Sequence, residues 1–366
     1  MHAEERHQAI LRRLRERGSL RVTDFAEELG VSPVTVRRDV ETLAERGLVA
    51  RVHGGAVSPE TRAETAGTGT GAGPSADTGP APTVPAPRAA ATERVFGMIV
   101  PAADYYYPEV IKGAREAAGS RGIRLVLGIS QYSPAEEQVQ ARQMLADGID
   151  GLLITPCGTA DDQHWLAELP IPFTLVERRP ENDISGAERA VTDHVYGARL
   201  AVRHLAEAGR RKIALLLRED SPHGPLVAEG YAGGLRAAGL TAPTAISFRI
   251  PSPSAMAERD RRIDEFIDAV TEGRVDAVLV HNDHDAIVLL QRLRSRGLTV
   301  PGDLAIVAYD DEVAALADIP LTAVAPPKHA VGAAAVDLLD RRVTDPGRPK
   351  HRLAILPELH IRDSST

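Results

Sequence analysis

An α/β chain in two parts is predicted: a small helical module, then a larger region built on doubly wound parallel sheets. Three observations predict it. Beyond residue 94, short β-rich runs alternate with helical ones, the pattern of βαβ units. Residues 58–93 are mostly Pro, Ala, Gly, Thr and Ser, with few charges and no aromatic residue. The first 57 residues carry three helix-like patterns closed by a Gly-Gly turn. A chain of 366 residues has room for two or three domains, and 43% hydrophobic content allows sizeable cores.

In the first module, an apolar stripe of Ile10, Leu11 and Leu14 predicts a helix over roughly Glu4–Arg17, stopped by Gly18. A second helix runs through Phe25, Ala26 and Leu29 and closes at Gly30. Ser32 can cap a third, with Pro33 in its first turn. Val36, Val40 and Leu43 then share its buried face, at i, i+4 and i+7. Val34, Thr35, Arg38 and Thr42 face away from that stripe, and Arg37 lies on its flank. An outward arginine early on such a helix can fork onto guanine O6 and N7 in a major groove. Arg37, Arg51 and His53 are better placed for phosphates, which position a protein without reading sequence. Gly54-Gly55 permits a tight wing turn.

The segment 58–93 cannot bury enough apolar surface to offset its ordering entropy. It is expected to be a flexible linker with an end-to-end distance of roughly 30–36 Å. Domain limits follow at 1–57, 58–93 and 94–366. In the third part, strands are expected at Val95–Val100, Arg124–Leu127, Gly151–Ile154, Phe173–Val176, Ile213–Leu217, Ala277–Val280 and Leu304–Ala308. Helices are expected at Pro108–Arg121, Ala135–Ala146, Gly197–Ala208, Gly230–Ala238 and Asp285–Arg296. So many units exceed one sheet, and two doubly wound halves are the natural solution.

A formal charge of −8 argues against a protein that coats nucleic acid generally. The first 57 residues hold ten Arg against nine acidic residues, so any DNA contact must be local. The single cysteine, Cys157, excludes an intrachain disulfide framework. The amino terminus has no signal-peptide core, and no apolar run reaches the length of a membrane span. A cytoplasmic location is expected. No nucleophile–base constellation or metal-ligand spacing stands out, so neither catalysis nor a cofactor or metal is expected.

Thr35-Val36-Arg37-Arg38-Asp39 through Leu43, then Gly47-Leu48 and Arg51-Val52-His53-Gly54-Gly55-Ala56, resembles the winged helix-turn-helix signature of DeoR-type bacterial repressors. The resemblance implies DNA contacts at Ser32, Thr35, Arg37 and Arg38. DeoR-type proteins mostly carry a sensor of the sugar-phosphate-isomerase type, and this chain departs from that. Its Phe96–Pro101 run, Asp150–Ile154, Gly197 to His204-Leu205, Gly209–Ala214, Asn282-Asp283, Tyr309-Asp310-Asp311, Pro320-Leu321-Thr322 and Leu356-Pro357 resemble the effector domain of the LacI family. That domain is a two-lobed periplasmic-binding-protein-like fold.

The likeness implies an effector site. Asp104 stands at the family's hydroxyl-ligand position, Tyr106 and Tyr107 at its aromatic pair, and Glu177-Arg178 at its Asp-Arg pair. Asn282 and Asp310 sit at carboxyl ends of strands, where open α/β sheets bind ligands. Asp193 belongs to the crossover between halves. An Asp after a strand also suits a helix cap, and tyrosine clusters also suit a core. Where the family often has an arginine three residues before the glycine equivalent to Gly230, this chain has Val227. That weighs against a strongly anionic effector, although His223 lies nearby. The short helix that joins reader and sensor in the family is absent too, and the long linker takes its place.

The expected protein is a dimeric repressor of carbohydrate-use genes that binds operator DNA and a sugar or polyol effector. An alternative is a sugar-phosphate-processing enzyme with a DNA-binding arm, for which His281 is the one tempting group. A solute-binding module for transport is opposed by the attached reader.

Overall fold

The computed structural model describes the chain apart from residues 1–2, 18, 22–24, 27, 29–30, 32–34, 37–38, 41–42, 44–48, 53–54, 58–93, 160, 180–185, 241–246 and 252–254. It divides into two compact units, Met1–Ala86 and Pro87–Thr366. The linker expected at 58–93 lies outside the described residues.

In the first unit, helix α1 spans Ala3–Arg17. Ile10 and Leu14 are buried with Leu20, Phe25, Ala26, Val36, Val40, Leu43 and Val49 in one core, so the i, i+4, i+7 stripe of the third helix packs as expected. The chain is helical at Thr35, Val36, Asp39, Val40 and Leu43. Strands β1 (Ser19–Arg21), β2 (Ala50–Val52) and β3 (Gly55–Val57) form an antiparallel sheet in the order β1-β3-β2. Val52 pairs with Gly55. Asp39 is buried and accepts from Arg6 Nε at 2.6 Å, with His7 Nε2 at 3.2 Å. This pair ties the third helix to α1 through charge as well as apolar contact.

The second unit has two lobes. The first lobe's sheet contains β4 (Arg94–Val100), β5 (Ile123–Ile129), β6 (Gly151–Ile154), β7 (Phe173–Val176), β8 (Glu188–Thr192) and β14 (Arg352–Ile355), in the order β14-β8-β7-β6-β4-β5 and parallel throughout. The second contains β9 (Ile213–Arg218), β10 (Ser247–Ile250), β11 (Ala277–His281), β12 (Ala305–Tyr309), β13 (Thr322–Ala325) and β15 (Glu358–His360), in the order β10-β9-β11-β12-β13-β15. Only the β13–β15 pair is antiparallel. Strand order reverses between β4 and β6 and between β9 and β11, the switch points at which such sheets leave a crevice.

Helices α2 (Tyr107–Gly119), α3 (Pro134–Ala146) and α8 (Lys328–Thr344) cover the first sheet. Helices α4 (His194–Glu207), α5 (Gly224–Ala237), α6 (Met256–Thr271) and α7 (Asp283–Ser295) cover the second. The chain passes between lobes three times: after β8, between β13 and α8, and between β14 and β15. Two of these passages are joined where Asp193 N donates to Ile355 O at 2.8 Å.

Strand β8 was not expected, because it opens on Glu188 and Arg189. Glu188 is buried but accepts from Arg342 Nε at 2.9 Å and Arg348 Nη2 at 2.6 Å, so partners distant in sequence neutralise it. Helix α5 begins six residues earlier than the expected Gly230, since Pro225 suits a first turn. Helices α2 and α8 approach so closely that a Cβ on Gly113 would strike the His329 backbone, and one on Gly332 the Val110 carbonyl. Gly332→Ala should therefore destabilise the first lobe by about 1–3 kcal/mol, read as a lower midpoint in urea unfolding; an unchanged midpoint would show that the helices can separate without cost.

Candidate ligand-binding cleft

The carboxyl ends of both sheets face a cleft with two chambers, of about 570 and 610 Å³. Tyr132, Arg178, Asp220, Pro222 and His223 line both. Many of the lining side chains sit at or just beyond strand ends. Tyr105–Tyr107 follow β4, Tyr132 follows β5, Cys157 follows β6 and Glu177-Arg178 follow β7. From the second lobe, Arg218 ends β9, His281-Asn282 close β11 and Asp310 follows β12.

Glu177 organises the first lobe's wall. Its backbone has a positive φ of 52°, which turns the carboxylate inward. There it accepts from the Tyr106 hydroxyl (2.8 Å), Thr192 N (3.0 Å) and Thr192 Oγ1 (2.7 Å), with His194 Nε2 at 3.7 Å. Burial alone would raise this carboxyl, but the His194 and Thr192 donors hold it below the usual range. Arg178, next in sequence, points the other way and donates to the Glu177 carbonyl and to His223 Nε2, both at 3.1 Å. Burial, with the neighbouring His194 and Arg178, pushes the His223 imidazole well below its ordinary range.

The second lobe supplies Asn282, Asp310, His281 and Arg218. Asn282 is buried at the start of α7, makes no cap with its side chain, and leaves Oδ1 without a hydrogen-bond partner. His281 Nδ1 is buried and unpartnered in the same way. Asp310 (φ 93°) accepts from the Tyr105 hydroxyl at 3.2 Å. Lys328 reaches the Asp310 carbonyl and Glu312 while lying 5.2 Å above the Tyr106 ring. The Tyr105–Asp310 and Arg178–His223 contacts both cross the cleft, so the lobes meet over it.

Six expected residues come together here: Tyr106, Tyr107, Glu177, Arg178, Asn282 and Asp310. Two do not. Asp104 is exposed and lines neither chamber; the chain turns there, its carbonyl accepting from Tyr107 N at 3.3 Å. Asp193 caps α4, its Oδ1 accepting from Tyr196 N at 2.9 Å, so the capping alternative holds. Tyr106 lines the cleft with its hydroxyl donated to Glu177. Tyr105, Tyr132, Cys157, Arg218 and Asp220 were not expected. The rule that placed Asn282 and Asp310 at strand ends, extended to β5, β6 and β9, points to four of them.

Of the residues expected to meet DNA, Ser32, Arg37, Arg38 and His53 lie outside the described residues. Thr35 is half-buried on its helix, and Arg51 belongs to β2.

The first turn of α7 carries Asp283, buried beside Asp310. Burial, then the Asp310 charge, pushes its carboxyl up to about 7, although Glu312 N and Val313 N donate to it. Between about pH 4 and 7 the unfolded chain ionises this group while the folded chain holds its proton, so its share of stability falls as pH rises. Asp283→Asn removes that penalty. Its unfolding free energy relative to the parent should climb from pH 4.5 to pH 8, by on the order of 2–4 kcal/mol. A difference that does not change with pH would place the carboxyl at its ordinary value.

The DeoR-like helix-turn-helix domain family matches residues 6–62, and the periplasmic binding protein-like domain family matches residues 202–365. The chain thus carries both domains. The arabinose metabolism transcriptional repressor of Geobacillus stearothermophilus is 26% identical over 290 residues, 77% of this chain and 79% of that one. The ribose operon repressor of Escherichia coli K12 is 27% identical over 281 residues, 74% and 82% of the two chains. Among solved structures, the transcriptional regulator CelR–cellobiose complex aligns with a TM-score of 0.66 at 23% identity, covering 91% of each chain. A regulatory protein of the LacI family from Chloroflexus aggregans aligns at 0.65 and 23%, covering 74% of this chain and 98% of its own. These structural likenesses concern the fold.

Proposed function

We propose that this chain, a DeoR-like reader joined to a periplasmic-binding-protein-like sensor, is a ligand-responsive repressor of carbohydrate-use genes. The observation that carries the reading is the cleft, where the unpartnered buried polar atoms Asn282 Oδ1 and His281 Nδ1 of one lobe face arginine and tyrosine of the other. Buried polar groups without partners are costly, and the hydroxyls of a sugar or polyol would satisfy Asn282 and His281. The names of the arabinose and ribose repressors support a carbohydrate effector.

In this reading residues 1–57 hold operator DNA, 58–93 link the parts, and 94–366 sense the effector. Ser32, Thr35, Arg37, Arg38, Arg51 and His53 meet the duplex. Tyr107, Arg178, Asn282 and Asp310 touch the effector, while Tyr106 and Glu177 position the wall. The protein works as a cytoplasmic homodimer whose lobes close on the effector, and closure alters the separation of its two readers. To shift operator occupancy, the effector must bind the closed and open forms with different affinity. The cleft suits binding rather than turnover: the Glu177 carboxylate is fully engaged, and burial pushes the Cys157 thiol up to about 11.

Arg38→Ala should weaken operator binding by about 1–3 kcal/mol and relax specificity at one base pair, measured by fluorescence anisotropy on variant operators. Unchanged affinity and specificity would remove Arg38 from the groove. Asp310→Ala should bind operator as the parent does, yet need a higher effector concentration for release. Equal release curves would take Asp310 out of the site.

A further inference from the structure

The two chambers differ in what they offer. In the one lined by Asn282, His281 and Asp310, Asn282 Oδ1 and His281 Nδ1 lack hydrogen-bond partners and the two cations Arg178 and Arg218 are present. Arg178 lines both, and the other chamber adds Arg179 and the start of α5. Arg218 in the cleft pairs with Asp220 at 2.8 Å, and Lys328 beside it pairs with Glu312. Arg178 has no such partner. It donates only to neutral acceptors in the contacts above, and among the described residues no carboxylate lies within ion-pair distance of it. Its neighbour Glu177 is turned away toward Tyr106 and Thr192.

One further feature points the same way. The fourteen-residue helix α5 starts at this chamber, with Pro222, His223, Pro225 and Leu226 in its wall and no side chain capping the helix. The positive end of its dipole therefore lies at the chamber. A guanidinium held in a cleft without a counter-charge is unfavourable until an anion arrives.

Resting on the reading of the cleft as the effector site, we propose that the effector is an acidic sugar derivative. Its hydroxyls meet Asn282 and Asp310, and its carboxylate or phosphate meets Arg178 and the start of α5. Val227, whose place in the sequence argued against an anion, is packed wholly into the core of the second lobe. The guanidinium comes instead from the opposite lobe, so an anion binding it would also draw the lobes together.

The test is calorimetric titration of the full chain at fixed ionic strength. The probes are glucose, galactose and ribose, with glucuronate, gluconate, galacturonate, glucose 6-phosphate and ribose 5-phosphate. At least one acid should bind about tenfold or more tighter than its neutral parent. Arg178→Met should reduce that acid to its parent's level, and Arg178→Lys should restore part of the preference. Whether a carboxylate or a phosphate wins identifies the anion. Neutral sugars binding as well as their acids would overturn the proposal and leave the effector site standing. So would an Arg178→Met variant that weakens acid and parent equally. If no probe binds and Asn282→Ala leaves effector-dependent release by cell extract unchanged, both the proposal and the effector site fail.

Discussion

The cleft depends on one buried carboxylate. Glu177 joins the loop after β4 through Tyr106, the end of β8 through Thr192, and the start of α4 through His194. These are three separate stretches of chain, and the last belongs to the other lobe. Taking a carboxylate from water is costly, and only several donors in good geometry offset it. The donors are consequently fixed, and so is whatever they carry. Because Glu177 turns inward, Arg178 is left facing the cleft. The polarity of the site follows from that alternation of two adjacent residues.

A second constraint is the paired sheet. Each lobe is a complete doubly wound layer with its own core on both faces, and three short passages join them. Such passages permit rotation while the lobes stay intact. Contacts that oppose opening include Tyr105 to Asp310 and His284, Arg178 to His223, Glu177 to His194, and Lys328 to Asp310 and Glu312. Tyr105, Asp310, Arg178, His223, Glu177 and His194 line the chambers. A ligand in the cleft therefore competes with or adds to the contacts that set the angle between lobes, which is how occupancy would become a change of shape.

Much of the fold was legible because burial on both faces leaves unbroken apolar runs. Gly151–Ile154 and Phe173–Val176 are strands with the expected limits for that reason. Strand β8 was hidden by Glu188, whose neutralising arginines lie over 150 residues away. Helix α6 was hidden by the charged run Glu258–Arg262 in its first half, although Ile263, Phe266, Ile267 and Val270 are buried at helical spacing. In the site, residues expected from strand ends were found there, since topology alone brings strand ends together. Asp193 shows the limit: a carboxylate after a strand can cap a helix as readily as meet a ligand. No local pattern reveals which donors a buried group will find, so the inward turn of Glu177 and the unpaired state of Arg178 were invisible before the fold.

The central claim is that effector binding and lobe closure are one event in this cleft. Cys157 is the chain's single cysteine and lines one chamber, 5% exposed. Its rate of alkylation by a maleimide therefore reports opening. The account predicts that any ligand releasing the protein from its operator slows this alkylation severalfold, and that Tyr105→Phe, which removes one contact across the cleft, speeds it in the free protein. A releasing ligand that leaves the rate of Cys157 modification unchanged would contradict it.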